Sequence, residues 1–156
     1  MIAVDIPGYG LLRLEHLVMD YNGTLAVDGE IAAGVAAAME VLASQVTIHV
    51  ITADTFGLAA NGLKGCPVKL SVLPPGDQDV AKLDYVERLG AALTVAVGNG
   101  RNDRRMLAAA GLGIAVILDE GAAFETLAAA DVVCRGIVPA LELLIHPLRL
   151  TATLRS

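Results

Sequence analysis

The sequence predicts a single α/β domain in which helices cover both faces of a mainly parallel sheet. Two observations support this prediction: short apolar runs alternate with longer helical patterns, and each apolar run is nearly unbroken. Strands that are covered on both faces read as continuous apolar runs, and strand–helix alternation requires crossover connections between parallel strands. The length of 156 residues is sufficient for one domain with a sizeable core.

Six apolar runs are the predicted strands of this sheet. In chain order they are residues 17–21, 47–51, 69–72, 93–97, 113–117 and 131–134. Residues 1–16 precede the first run and are predicted to add an edge strand or a hairpin to the sheet.

Six segments with a helical pattern lie between and after the strands. They are residues 32–43, 55–62, 77–89, 102–110, 121–128 and 137–145. The third segment has defined ends, because Asp77 can cap its first turn and Gly90 can terminate it. The remaining residues 147–156 are predicted to form a tail that is apolar enough to pack on a neighbouring copy, which favours a homo-oligomer.

Composition and charge exclude several classes of protein. A net charge of −6 opposes nucleic-acid binding, and a hydrophobic content of 55% opposes disorder. The longest uncharged apolar run, residues 106–118, is shorter than the roughly 20 residues that span a bilayer, and the N-terminus does not resemble a signal peptide. Cys66 and Cys134 have no metal-binding or redox spacing. We therefore expect a cytoplasmic protein that does not act at a membrane.

Polar residues directly follow three of the predicted strands. Ligands of an open parallel sheet bind outside the carboxyl ends of its strands, so these residues are the candidate site. Lys82 joins them, because it lies early in the helix that precedes the fourth strand. The set that follows the strands comprises Asp20, Asn22, Gly23 and Thr24, then Thr52, Ala53 and Asp54, then Gly98, Asn99, Gly100, Asn102 and Asp103.

These segments together resemble the four motifs of the haloacid dehalogenase (HAD) superfamily of phosphotransferases, over nearly the whole chain. "DYNGT" from Asp20 resembles the first motif, "ITAD" around Thr52 the second, Lys82 the third, and "VGNGRNDRRML" the fourth. Within the superfamily, the chain is most similar to the small soluble proteins related to the P-type ATPase phosphorylation domain. The resemblance implies a Rossmann-like HAD core.

The resemblance also implies a phosphatase that works through an aspartyl-phosphate on Asp20 with Mg²⁺ as cofactor. Oxygen ligands would come from Asp20, the backbone carbonyl of Asn22 and Asn99, while Asp103 would pair with Lys82 or orient a metal-bound water. A phosphorylated small molecule or phosphoprotein would be the substrate. The residues expected to bind it are Gly23, Thr24, Thr52, Ala53 and Lys82, with backbone N–H groups around Gly23 assisting.

The sequence departs from the superfamily pattern at two positions. Asn22 replaces an aspartate that protonates the leaving group and then activates water, and an amide can do neither. Asn99 replaces an aspartate that binds Mg²⁺, so the site keeps an oxygen but loses a charge. We therefore expect slow turnover that favours good leaving groups, together with weakened metal binding.

The spacing of the motifs leaves no room for a cap domain. Only a short hairpin flap, "LAVDGEI", fits after the first motif, and 29 residues separate Thr52 from Lys82. The site is therefore expected to be open, unless a second subunit covers it.

Other interpretations of single motifs remain open. Lys64 and Lys69 are weaker candidates for the role of Lys82, and Thr52 could merely cap the following helix. The segment 98–103 ends in aspartate where a dinucleotide-binding loop requires glycine. His16, His49 and His146 show no ligand spacing and are interpreted as structural or surface residues. Arg101, Arg104 and Arg105 are interpreted as an exposed helix face, from which one arginine could contact substrate.

Two other functions compete with that of a phosphatase. Asn22 and Asn99 favour a regulatory module that binds phosphate or a partner protein without catalysis. A receiver domain ranks last, because its acceptor aspartate usually follows the third strand, whereas Asp20 follows the first predicted one.

Overall fold

A parallel sheet of six strands forms the centre of a computed structural model of the protein, which describes residues 1–53 and 57–156. The strands are β1 (Ile2–Ile6), β2 (Gly10–Leu14), β3 (His16–Asp20), β4 (Ala26–Val27), β5 (Glu30–Ile31), β6 (Thr47–Thr52), β7 (Val68–Val72), β8 (Thr94–Gly98), β9 (Leu112–Val116) and β10 (Val132–Cys134). The central sheet has the order β10-β9-β8-β3-β6-β7, and all its neighbouring strands are parallel. The predicted fold class is confirmed, and each predicted central strand lies within one residue of an observed one.

Helices cover both faces of the sheet, and each face has its own hydrophobic core. The helices are α1 (Val35–Leu42), α2 (Leu58–Gly62), α3 (Gln78–Leu89), α4 (Arg104–Ala109), α5 (Phe124–Ala129), α6 (Ile137–Ile145) and α7 (Pro147–Leu154). Side chains alternate along β3, so that Leu17 and Met19 enter the core beneath α1, α2, α6 and α7, while Val18 enters the core beneath α3, α4 and α5.

The predicted ends of helix α3 are only partly correct. Gly90 terminates the helix with a φ of 96°, a backbone conformation that suits glycine. Asp77 occupies the N-cap position, but its side chain makes no capping hydrogen bond. The predicted start of α2 at Thr55 lies outside the described residues, as does Asp54.

The N-terminal hairpin does not join an edge of the central sheet, as the sequence had suggested. Strands β1 and β2 pair only with each other, in an antiparallel sheet of their own. Ile2, Ile6, Leu12 and Leu14 point into the larger core and are buried there. Because the chain passes from β2 straight into the central strand β3, the hairpin packs against the core instead of extending the sheet.

The C-terminal segment forms a helix, whereas the sequence predicted an apolar tail. Pro147 starts helix α7, a position at which its missing N–H costs no hydrogen bond. Leu150 and Leu154 of this helix pack into the larger core, and the N–H of Ser156 donates to the carbonyl of Pro7. Two of the apolar side chains that suggested a neighbouring copy therefore contact this chain's own core, whereas Leu148 is exposed.

A short antiparallel hairpin, β4–β5, follows the first motif and corresponds to the predicted flap. Asp28 and Gly29 form its turn with φ values of 51° and 82°, so both have the left-handed conformation that suits a two-residue hairpin. Between β6 and α3, the described residues form only α2 and β7. In the described part of the chain, the flap is therefore the only insertion at the positions where a cap domain would stand.

Within residues 1–53 and 57–156, no single helix is long and apolar enough to cross a membrane. Helices α6 and α7 would reach that length only together, and they are bent by 102° at their junction.

Candidate active site

The site lies where the connections of the sheet change direction. From β3 the chain continues to β6 on one side, and later returns to β8 on the other side of β3. The crevice at such a switch point is the usual ligand site of an open α/β sheet. Asp20 ends β3, Thr52 ends β6 and Asn99 follows β8 directly. Asp20 pairs with Ile51 in the sheet register, so Thr52 lies one residue beyond the partner of Asp20.

Lys82 links two of the predicted site residues. Its Nζ atom is 2.9 Å from Oδ1 of Asp20 and 2.6 Å from Oδ1 of Asp103. Only 1% of Lys82 and none of Asp103 is exposed, whereas Asp20 retains 8% exposure. Lys64 and Lys69, the other candidates for the third motif, are exposed. Lys82 is therefore the lysine that accompanies Asp20.

Burial and charge shift the pKa values of this cluster. Burial raises the pKa of Asp20 to about 7, and the neighbouring Asp103 adds to this effect, while Lys82 opposes it. Burial disfavours the charged form of Lys82, but the two carboxylates outweigh it and raise the pKa of the ammonium group. One cation thus faces two carboxylates, which leaves an excess of negative charge that a divalent cation can neutralise.

Asp103 orients both Lys82 and the fourth-motif loop. While Oδ1 contacts Lys82, Oδ2 accepts the N–H groups of Asn99 at 3.0 Å and Gly100 at 2.9 Å. A Cβ atom at Gly98 would lie 2.5 Å from the side chain of Asp103, so only glycine permits this close approach. Asp103 is fully buried and contacts Lys82 and two backbone N–H groups, and these contacts fit its predicted supporting role.

Gly23 and Thr24 do not have the arrangement expected of residues that donate backbone N–H groups to a substrate. The N–H of Gly23 donates to the carbonyl of Ala26 at 2.7 Å, and the N–H of Thr24 donates to that of Tyr21 at 3.3 Å. These bonds close the tight turn that leads from β3 into the flap, and they use up the predicted donors. The prediction for these two residues is therefore corrected: their N–H groups shape the loop.

The side chains of Thr24 and Asn99 connect the first motif to the fourth. The hydroxyl of Thr24 donates to Oδ1 of Asn99 at 3.1 Å, and both side chains are buried. Asn99 in turn donates from Nδ2 to the carbonyl of Gly121 at 3.0 Å, in the loop after β9. These two bonds fix the orientation of the amide.

The residues at and after the end of β6 that are expected to bind substrate differ in exposure. Thr52 is buried, and its backbone carbonyl accepts the N–H of Leu73 at 2.8 Å. Ala53 and Asn22 are both exposed. An exposed position is suitable for contacting a leaving group that extends into solvent.

Glu120 is a residue of the site region that the sequence did not suggest. A Cβ atom added to Gly23 would lie 2.5 Å from Glu120 Oε2 and 2.4 Å from Asn99 Nδ2. Both side chains thus border the first-motif loop at the point where glycine leaves space. The signal in the sequence is weak, because Glu120 stands in an acidic turn, "LDEG", with no motif of its own.

The donor atoms at this site suit magnesium. A carboxylate of Asp20, the amide oxygen of Asn99 and the backbone carbonyl of Asn22 are all hard oxygen ligands, which Mg²⁺ prefers. Gly23 has a φ of 75°, and the absence of a Cβ atom there lets the loop approach Asn99 closely. In the part of the chain that the structure describes, no three His, Cys, Asp or Glu side chains form a metal-binding group. A cation here would depend on amide and backbone oxygens as well as carboxylates.

Replacing Lys82 with methionine is expected to destabilise the metal-free protein by about 3–5 kcal/mol, because two buried carboxylates would lose their contact with this cation. Urea denaturation in the presence of a chelator measures this change. Lys64→Met is the matched control at an exposed position, for which we expect a change within about 0.5 kcal/mol. Equal stabilities of the two variants would show that the Lys82 contacts contribute little.

The remaining basic side chains lie outside this cluster. Arg104 and Arg105 contact Asp79, and Arg101 pairs with Glu125 at 2.9 Å on the surface. Arg101 and Arg105 are exposed as expected, whereas Arg104 is half-buried. In the described part of the chain, none of these three guanidinium groups forms an ion pair with Asp20.

The histidines have the structural or surface positions that the sequence indicated. His49 is buried within β6 and hydrogen-bonded to His16 at 3.2 Å and Tyr85 at 2.9 Å. Burial lowers the pKa of His49 to about 4, with further contributions from His16 and Lys69. His49 is therefore neutral at physiological pH. His146 is exposed.

Comparison with solved structures identifies the fold. The 3-deoxy-D-manno-octulosonate 8-phosphate phosphatase of Moraxella catarrhalis, solved with magnesium, phosphate and KDO, superposes with a TM-score of 0.71 at 16% identity, over 85% of this chain and 86% of that chain. A HAD superfamily subfamily III A hydrolase from Legionella pneumophila gives a TM-score of 0.72 at 16% identity, over 90% of this chain and 87% of that chain. The HAD-like fold that the motifs predicted is confirmed.

Comparison of sequences identifies a relative in an archaeon. The uncharacterized protein MJ0073 of Methanocaldococcus jannaschii is 43% identical in an alignment of 85 residues, which covers 52% of this chain and 91% of that protein. A comparison with protein-family models finds no match. The chain therefore belongs to the same family as MJ0073 and has the fold of the haloacid dehalogenase superfamily.

Proposed function

We propose that the protein is a magnesium-dependent phosphate monoester hydrolase that acts through an aspartyl-phosphate on Asp20. The observation that carries this proposal is the contact of Lys82 Nζ with Asp20 and Asp103, at 2.9 and 2.6 Å, at the switch point of the sheet. This arrangement supports a nucleophilic carboxylate whose phosphorylation is assisted by a fixed cation.

The proposed reaction has two displacements at phosphorus. Asp20 forms a bond to the phosphorus atom while the bond to the leaving oxygen breaks, and water then displaces the carboxylate to release phosphate. Lys82 and the hydroxyl of Thr52 hold the phosphoryl oxygens during both steps. Magnesium, held by Asp20, Asn99 and the carbonyl of Asn22, would offset the charge that the phosphoryl group brings.

The side chain of Asn22 limits the rate in this proposal. An amide cannot protonate the leaving oxygen, so that oxygen departs as an anion, and it cannot deprotonate the water of the second step. Slow turnover and a long-lived phospho-enzyme follow. This behaviour would agree with the resemblance to P-type ATPase phosphorylation domains, which also lack an acid at this position.

The proposed substrates are phosphorylated small molecules or phosphoproteins, because the site has no cap in the described part of the chain. A net charge of −6 disfavours nucleic acid as a substrate. The free thiols of Cys66 and Cys134 suit a reducing compartment, so we place the protein in the cytoplasm. Assembly into a homo-oligomer that covers the open site remains part of the proposal.

The leaving group provides a direct test of the proposed function. With Mg²⁺, we expect acetyl phosphate and p-nitrophenyl phosphate to be hydrolysed, and a simple alkyl phosphate to react at least about 10²-fold more slowly, because no acid assists the departure of a basic alkoxide. The measurement is kcat/KM for each ester, with a chelator as the control for metal dependence.

A second function is favoured by one specific observation. Two residues that carry acids in the superfamily pattern are amides here, which is also what a phosphate-binding regulatory module would tolerate. If none of the esters shows metal-dependent hydrolysis, while phosphate or a phosphorylated peptide still binds, the regulatory module is the better description.

A further inference from the structure

The carboxylate of Glu120 lies beside the first-motif loop, at the same point as the side chain of Asn99. Oε2 of Glu120 and Nδ2 of Asn99 are 2.5 and 2.4 Å from the position that a Cβ atom of Gly23 would occupy. Glu120 is exposed, and within residues 1–53 and 57–156 its carboxylate has no ion-pair or hydrogen-bond partner. An unpaired acid therefore borders the loop whose backbone carbonyl at Asn22 is an expected metal ligand.

The loop that carries Glu120 is fastened to the site by Asn99 itself. Nδ2 of Asn99 donates to the carbonyl of Gly121 at 3.0 Å, and the carbonyl of Asn99 accepts the N–H of Ala123 at 2.9 Å. The first of these bonds needs an amide, because an ionised aspartate has no hydrogen to donate. Asn99 therefore leaves position 99 without a carboxylate, and it also holds the loop that places the carboxylate of Glu120 beside the site.

The charges of the site show what this second carboxylate adds. Asp103 is fully buried and directs both of its oxygens to Lys82 and to backbone N–H groups, so its charge is already engaged within the protein. Among the site residues that the structure describes, Asp20 would without Glu120 be the only carboxylate with any exposure to an incoming cation, and Asp20 already contacts Lys82. Magnesium sites in proteins usually rely on one or two carboxylates.

We propose that Glu120 supplies the negative charge that Asn99 lacks, so that the magnesium site has two carboxylates, Asp20 and Glu120, from different loops. This inference rests on the magnesium site of the proposed function, and it assigns to that site a residue outside the four motifs. The hydrogen bond between Asn99 and Gly121 positions Glu120 for this role.

The test is a magnesium titration of the protein without substrate, followed by the NMR signals of the Gly23 and Gly100 amides. This readout works for weak binding and does not depend on turnover. We expect Glu120→Gln to weaken Mg²⁺ binding at least about tenfold, since the loss of a carboxylate that supports a metal site has effects of this size. Asp119→Asn, which neutralises the neighbouring exposed acid, is the matched control and should leave the affinity unchanged.

A double variant separates a charge effect from a structural effect. Asn99→Asp in the Glu120→Gln protein returns one carboxylate to the fourth motif, and we expect it to restore most of the lost affinity. An unchanged affinity in Glu120→Gln, an equal loss in Asp119→Asn, failure of the double variant to recover, or no binding by the unmodified protein would each overturn the proposal. If magnesium binds as expected but no phosphate ester is hydrolysed, the proposed enzyme activity fails while the assignment of Glu120 stands.

Discussion

Replacing Asp20 with asparagine is expected to abolish both the phospho-enzyme and metal-dependent turnover. An amide oxygen is too weak a nucleophile to attack phosphorus, and removal of a nucleophile that forms a covalent intermediate typically costs more than about 10³-fold in rate. Mass spectrometry after incubation with acetyl phosphate and Mg²⁺ should show one added phosphoryl group on the unmodified protein and none on Asp20→Asn.

The Asp20→Asn variant should fold normally, which makes it a sound test of chemistry. Lys82 would still have its contact with Asp103 at 2.6 Å, and one cation would then face one carboxylate. Burial raises the pKa of Asp20, which means that the fold disfavours its charged form, so a neutral side chain should leave the stability equal or higher. A phosphoryl group found on a variant that lacks Asp20 would contradict the assignment of the nucleophile.

Replacing Asn22 with aspartate is expected to accelerate steady-state hydrolysis by about 10²–10⁴-fold, the usual contribution of a general acid–base group. The gain should be largest for alkyl phosphates, whose leaving oxygens most need a proton. The pH profile of kcat should also acquire a new limb, because the introduced carboxyl group has to be protonated for the first step.

The position of Asn22 makes this substitution structurally mild. Asn22 is exposed, and its backbone forms a bridge with Ala26 that does not involve the side chain. Asn61→Asp, at an exposed position of α2, introduces the same charge elsewhere and should leave the rate unchanged. An equal gain in both variants would indicate a general effect of charge, and no gain at Asn22 would contradict its role as the missing proton shuttle.

The central sheet could be predicted from the sequence because its strands are buried on both faces. That burial produces unbroken apolar runs, and the polar residues that follow them mark the strand ends within one residue. Asp20 and Lys82 are 62 residues apart in the sequence, and their contact follows from the same topology, since both lie at the switch point of the sheet. The local pattern and the global fold agree at these positions.

Features that depend on packing between distant segments could not be predicted in this way. The hairpin of β1 and β2 has a recognisable pattern, but nothing in it specifies whether it extends the sheet or packs on the core. Helix α7 had one signal, Pro147 at its first turn. Glu120 had only a weak one, because its position depends on a hydrogen bond from Asn99 to the next residue, Gly121.

A crystal structure of the protein with beryllium fluoride and Mg²⁺ tests the central claim most directly, because this complex imitates an aspartyl-phosphate. We predict beryllium bonded to a carboxylate oxygen of Asp20, with Lys82 and Thr52 in contact with its fluorine atoms and magnesium bound between Asp20 and Asn99. Beryllium fluoride bound away from Asp20, or no adduct at saturating concentrations, would contradict the claim that these residues form a phosphoryl-transfer site.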